Sequence, residues 1–142
     1  MGYCTLADLI AQYGEPMLIE ATDRGTEATG TVDETAIARA IASADALIDG
    51  ALKVRYALPL ASTPALVNDL SMTIALYRAH ANVASEKVRK DYEDAMRTLS
   101  QISAGAVRLD IAGVEPASSG SSGARITDRD RPMTPENMKG WI

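Results

Sequence analysis

The sequence predicts an all-α fold: a small bundle of about four to five helices over residues 1–112, a Gly/Ser linker at 113–123 and a flexible C-terminal arm at 124–142. Three observations carry this expectation. Apolar residues recur at steps of three and four in successive stretches between Leu6 and Ile102. Most of these stretches are bracketed by capping residues, prolines or glycines. The composition of 24 Ala, one Trp and no Phe in 142 residues suits helices that approach closely and bury little area per residue.

Thr5 stands as an N-cap with Asp8 three residues on, Leu6, Leu9, Ile10 and Tyr13 share a helical face, and Gly14 supplies the stop. Pro16 suits the first turn of a second short helix through Met17, Leu18 and Ile19, after which Thr22 to Thr31 reads as a polar connection. Asp33 caps the longest helix, in which Ile37, Ile41, Ala44, Ile48 and Leu52 line one face. That helix is expected to run to about Tyr56, where Leu58-Pro59-Leu60 interrupts it. Thr63 and Pro64 are expected to restart the chain as cap and first helical position, ahead of a stripe of Leu66, Leu70, Ile74 and Tyr77. After a turn near Ala81 to Ala84, Ser85 caps a last long helix whose Val88, Tyr92, Ala95, Leu99 and Ile102 alternate steps of four and three before Gly105. Val107, Leu109 and Ile111 then alternate with polar or small residues, the pattern of a short strand near 107–111.

Ser118 to Gly123 has the composition of a linker. Beyond it, Thr134-Pro135-Glu136 suits one terminal helical turn closed by Gly140. Nineteen residues cannot form a core of their own, yet they hold the single Trp. An arm that docks on a partner is therefore expected, with Met133, Met138 and Trp141 as apolar points and Arg125, Arg129 and Arg131 at their rim.

The net charge of −5 argues against a protein whose main task is gripping a phosphate backbone. Residues 1–35 hold seven acids against Arg24 alone, so one end carries a negative field. A lone Cys4 forms neither an intramolecular disulfide nor a metal set and suits folding in reducing cytoplasm. The first residues lack a basic segment followed by an apolar run, and no stretch approaches the roughly 18 apolar residues of a membrane span, so neither secretion nor membrane insertion is expected.

Catalytic chemistry finds little support. His80 is the only histidine and reads as a residue near a helix C-terminus. Asp45 and Asp49, four apart, have the spacing of a metal site or acid/base pair, but Asp49 also precedes Lys53 by four, so a solvated or ion-pairing role is expected. The run from Glu86 to Asp94 mixes both signs as a water-facing helix side does, and the loop with Gly25 and Gly30 has no Gly-Lys-Ser/Thr element. No enzymatic activity, cofactor or metal is expected.

Tyr3-Cys4-Thr5-Leu6-Ala7-Asp8-Leu9-Ile10, followed by Tyr13-Gly14-Glu15, resembles the opening of the head–tail connector (neck, adaptor) family of Mu-like phages and prophages. Asp49-Gly50-Ala51-Leu52 with Arg55-Tyr56-Ala57-Leu58-Pro59-Leu60 is similar to that family's central block, and Met138-Lys139-Gly140-Trp141 to its aromatic ending. The likeness spans nearly the whole chain and is most specific in the central block. It implies a structural role for Asp49, Arg55, Tyr56, Leu58, Pro59 and Leu60. It also implies a non-enzymatic virion subunit, made in host cytoplasm, that forms a homo-oligomeric ring, a dodecamer by analogy, between the portal protein and a tail-side neck or tail terminator protein. Such a ring is part of the conduit through which DNA passes. The rival readings are a small helical DNA-binding or packaging-regulator phage protein, which a steep salt dependence of duplex affinity would reveal, and an enzyme whose site is built between subunits from Asp45, Asp49 or His80.

Overall fold

The computed structural model describes residues 2–111 and residue 140. Within them five helices follow in order: α1 (Leu6–Tyr13), α2 (Glu15–Thr22), α3 (Glu34–Leu52), α4 (Ala65–Ala79) and α5 (Glu86–Ala104). The all-α expectation holds. The linker expected at 113–123 lies outside the described residues.

Local chemistry accounts for most boundaries. At α1 the Thr5 hydroxyl accepts the Asp8 N–H at 3.3 Å while the Asp8 carboxylate accepts the Thr5 N–H at 2.8 Å, a reciprocal capping box. Gly14, at φ +86°, closes α1 and opens α2 in one step, and Pro16 occupies the first turn of α2, where its missing N–H costs nothing. The Asp33 carboxylate accepts the Ala36 N–H at 3.0 Å and starts α3. Ser85 does the same for α5 through the Val88 N–H, and Gly105, left-handed at φ +82°, ends it.

The three long helices pack on one another, the α3–α4 interface being the most extensive, and α1 and α2 lie together against them. α3 buries Ala36, Ile37, Ala40, Ala44, Ile48 and Leu52 along one stripe. α4 is buried around most of its circumference, through Val67, Leu70, Met72, Ile74, Ala75, Leu76 and Ala79, as a central helix must be. α5 contributes Val88, Ala95, Leu99 and Ile102 and turns its charges outward. There Lys87–Asp91 at 2.6 Å, Arg89–Glu93 at 2.8 Å and Arg97–Asp94 at 2.7 Å form exposed ion pairs, which add little stability. Each fully buried Ile or Leu contributes about 1.5–3 kcal/mol, whereas the alanines on α3 and α4 mainly let the two backbones approach.

Polar ties brace the short elements. Buried Thr22 donates to the Leu18 carbonyl at 2.8 Å and accepts the Asp33 N–H at 3.2 Å, fixing the end of α2 to the start of α3. The Ala81 N–H donates to the Ala21 carbonyl at 2.9 Å, holding the α4–α5 connection on α2.

Four expectations need correction. α3 ends at Leu52, not near Tyr56: residues 53–56 form a turn, with the N–H groups of Arg55 and Tyr56 both donating to the Leu52 carbonyl. Pro64 is the N-cap of α4 rather than its first residue, its extended ψ of 149° being incompatible with a helical position. Leu66 is 37% exposed; the buried side of α4 starts at Val67, because this helix is covered on more than the single stripe that a surface helix shows. No strand forms among the described residues. Leu109 and Ile111 point into the core, but no neighbouring strand offers them a ladder.

Candidate functional site

The two aspartates with metal-site spacing project from α3 toward the start of the chain, where each finds a partner. Asp45 accepts the Tyr3 N–H at 3.2 Å and the Ser71 hydroxyl at 3.1 Å, and Asp49 accepts the Tyr3 hydroxyl. Asn68 of α4 completes the anchor by donating to the Tyr3 carbonyl at 2.8 Å. The expected ion pair of Asp49 with Lys53 does not form among the described residues, the Tyr3 phenol having taken the carboxylate. Burial, the hydrogen bond to Asp49 and the negative charges of Asp49 and Asp45 push the Tyr3 phenol well above its ordinary range, so it stays a donor.

The thiol at this end and the histidine at the far end of α4 are both held by local contacts. Burial raises the Cys4 thiol above its usual value, outweighing the opposing effect of the Ser71 hydroxyl 3.2 Å from its sulfur, so the thiol stays protonated. His80 caps α4 with its Nδ1 2.7 Å from the Leu76 carbonyl, a satisfied ring at a helix end. No cluster of three or more potential metal ligands occurs among the described residues, and none of their helices is long and apolar enough to cross a membrane.

The central block occupies the other end of α3, where it grips the exit of α5. Arg55 donates from Nε to the Ser103 carbonyl and from Nη2 to the Ala104 carbonyl, both at 3.0 Å. These are acceptors that a helix end leaves without intrahelical partners, and a cation there is also favoured by the helix dipole. Beside it the buried Tyr56 hydroxyl accepts the Leu109 N–H at 3.0 Å. Gly105 makes the approach feasible, since a Cβ at that position would run into the Arg55 guanidinium. Leu58 and Leu60 pack against the core on either side of exposed Pro59, which follows a cis peptide bond. Thus Arg55 and Tyr56 tie Ser103, Ala104 and Leu109 to the turn that follows α3. Arg125, Arg129, Arg131, Met133, Met138 and Trp141, expected to form a docking arm, lie outside the described residues.

Sequence reasoning passed over one surface. In the α4–α5 connection Val83 is 98% exposed, at the lip of two adjoining depressions of about 280 and 350 Å³ that share His80, Asn82 and Val83. Met17 and Glu20 of α2 wall the first, while Tyr77, stacked on Tyr92 at 4.1 Å, walls the second. The only signal was an apolar residue inside a turn.

The comparisons with known proteins cover both the Tyr3 anchor and the Arg55 grip. The chain is 29% identical over 142 residues to Gene product J of Escherichia phage Mu, with both proteins covered end to end. It is 30% identical over 112 residues to the Mu-like prophage FluMu protein gp36 of Haemophilus influenzae, 79% of each chain being aligned. The sequence signature of the family described as Bacteriophage Mu, Gp36 matches residues 3–128, from the anchoring tyrosine to well past the α5 exit, and the chain therefore belongs to the phage Mu Gp36 family.

Proposed function

We propose that this chain is a structural subunit of the head–tail junction of a Mu-like phage, forming a homo-oligomeric ring between the portal and the tail through which DNA passes. One observation carries the reading: the Arg55 and Tyr56 grip fixes Ser103, Ala104 and Leu109, the stretch that immediately precedes residues 112–142 in the sequence. A connector needs a rigid body for its ring contacts and a segment launched from a reproducible place toward a neighbour. The apolar and basic residues of that segment, Met133, Met138 and Trp141 with Arg125, Arg129 and Arg131, have the composition of an interface anchor. Membership of a phage protein family supports the virion setting, and the analogy with portals favours twelve copies.

The test is a phage or prophage lacking this gene. Filled heads and complete tails should accumulate unjoined, and the full chain should restore joining. A full-length Met133→Ala/Met138→Ala/Trp141→Ala variant should keep its helical circular dichroism but restore joining poorly. Heads and tails that join without the protein, or purified particles that lack it, would sink the proposal.

A further inference from the structure

Arg24 of the α2–α3 connection, Arg39 of α3 and Arg78 near the end of α4 line one pocket of about 240 Å³, completed by Ala36, Ala40 and Ser43. Sequence separates these arginines by 15 and 39 positions; only the packing of α3 on α4 brings them together. No acid lines the pocket. Among the described residues neither Arg24 nor Arg39 makes a hydrogen bond or ion pair, and Arg78 only reaches the Tyr92 hydroxyl at 3.5 Å. Three converging cations repel one another unless an anion sits between them. The short side chains of Ala36, Ala40 and Ser43 leave the guanidinium edges accessible, and those edges match oxyanions in bidentate fashion.

We infer that this pocket receives carboxylates from a second copy of the same chain, from the exposed acids Glu15 and Glu20 of α2. The charge balance selects that occupant. The body carries −5 overall and its arginines form a pocket rather than a stripe, so a nucleic-acid duplex gains few phosphate contacts against a repelling surface. Carboxylates are abundant in the chain itself, and neither Glu15 nor Glu20 is ion-paired among the described residues. Pocket and acids are separate patches of one molecule, so copies arranged head to tail repeat the contact and close into a ring where the rotation allows. It deepens the ring reading and rests on it for the biological setting.

Charge exchange in the full-length protein tests the contact by sedimentation at low salt. Wild type should associate, and high salt should weaken that association. A Arg24→Glu/Arg39→Glu/Arg78→Glu variant alone, and a Glu15→Lys/Glu20→Lys variant alone, should each bind themselves roughly tenfold or more weakly, because like charges then meet. An equimolar mixture of the two should associate again, since every contact between unlike copies regains opposite charges. Wild type that stays monomeric, or a mixture that stays dissociated while both variants keep wild-type circular dichroism, overturns the inference. So does wild type that binds duplex DNA more tightly than itself and loses that binding in an Arg24→Gln/Arg39→Gln/Arg78→Gln variant, which gives the pocket to phosphate. Particles that join normally with either charge variant would remove this contact and leave the connector reading standing.

Discussion

Replacing Arg55 by methionine keeps the aliphatic stem and removes the guanidinium that holds the end of α5. Two hydrogen bonds of 3.0 Å, to the Ser103 and Ala104 carbonyls, disappear together. A hydrogen bond from a charged donor contributes about 1.5–3 kcal/mol and a cation at a helix C-terminus about 0.3–1 kcal/mol. Arg55 is exposed, so solvent screening places each bond at the bottom of that range, and the freed carbonyls can turn to water. The net loss is about 2 kcal/mol, and at roughly 4 °C per kcal/mol for a chain of this size the melting temperature should fall by on the order of 8 °C. Thermal melts followed by circular dichroism measure that. Amide exchange supplies a second readout: residues 105–111 should lose protection before the body of α5 does, because only the exit is released. A melting temperature within about 1 °C of wild type, with unchanged exchange at Ala106 and Leu109, would refute the idea that this arginine fixes the exit.

Tyr56→Phe should cost about 1–3 kcal/mol in chemical denaturation by leaving the buried Leu109 N–H without an acceptor, and a neutral result would mean that water replaces the hydroxyl. Ile48→Ala, a truncation at a fully buried position facing the other long helices, should cost about 2–5 kcal/mol and is checked by the same measurement. Tyr3→Phe should lower stability at neutral pH. The gap from wild type should then close as pH rises above the ordinary phenol value of 10.0, because the unfolded phenol ionises there while the folded one, raised above that value, resists. A gap constant across the alkaline range would show that the Asp49 contact does not shift the titration.

How far the sequence disclosed this fold depended on whether the responsible interaction was local. Thr5 with Asp8, Pro16, Asp33, Ser85 and Gly105 all act within a turn of their own position, and the helices they bound begin or end where those residues dictate. Failures came where a distant element decided the outcome. The alternation of Val107, Leu109 and Ile111 matches a strand, yet Leu109 and Ile111 turn inward because the Tyr56 hydroxyl and the core hold them, with a tight turn from the Ile111 N–H to the Leu109 carbonyl and no second strand. Asp49 stands four residues before Lys53, but Tyr3, 46 positions away, captured it. The central block could be recognised as a motif before any geometry was known, whereas its task of gripping carbonyls 48 and 49 residues downstream could not. Nor could the arginine pocket, whose members share no helical face and no sequence neighbourhood.

These corrections converge on α3. Its stripe is half alanine, so its contact with α4 brings the backbones close while burying little side-chain area to set register. Apolar packing of small residues is tolerant of a sliding displacement, and something directional must oppose it. Hydrogen bonds supply that direction at both ends of the helix: Asp45 and Asp49 hold Tyr3, with Ser71 and Asn68 of α4 sharing the network, while Arg55 and Tyr56, just past the last turn, hold the exit of α5. The start and the exit of the described chain are thereby referred to one rigid rod of 19 residues. A slip of one α4 turn would carry Arg78 away from Arg24 and Arg39 and pull Asn68 and Ser71 off Tyr3 and Asp45, so these directional bonds set the register that the small apolar side chains leave open.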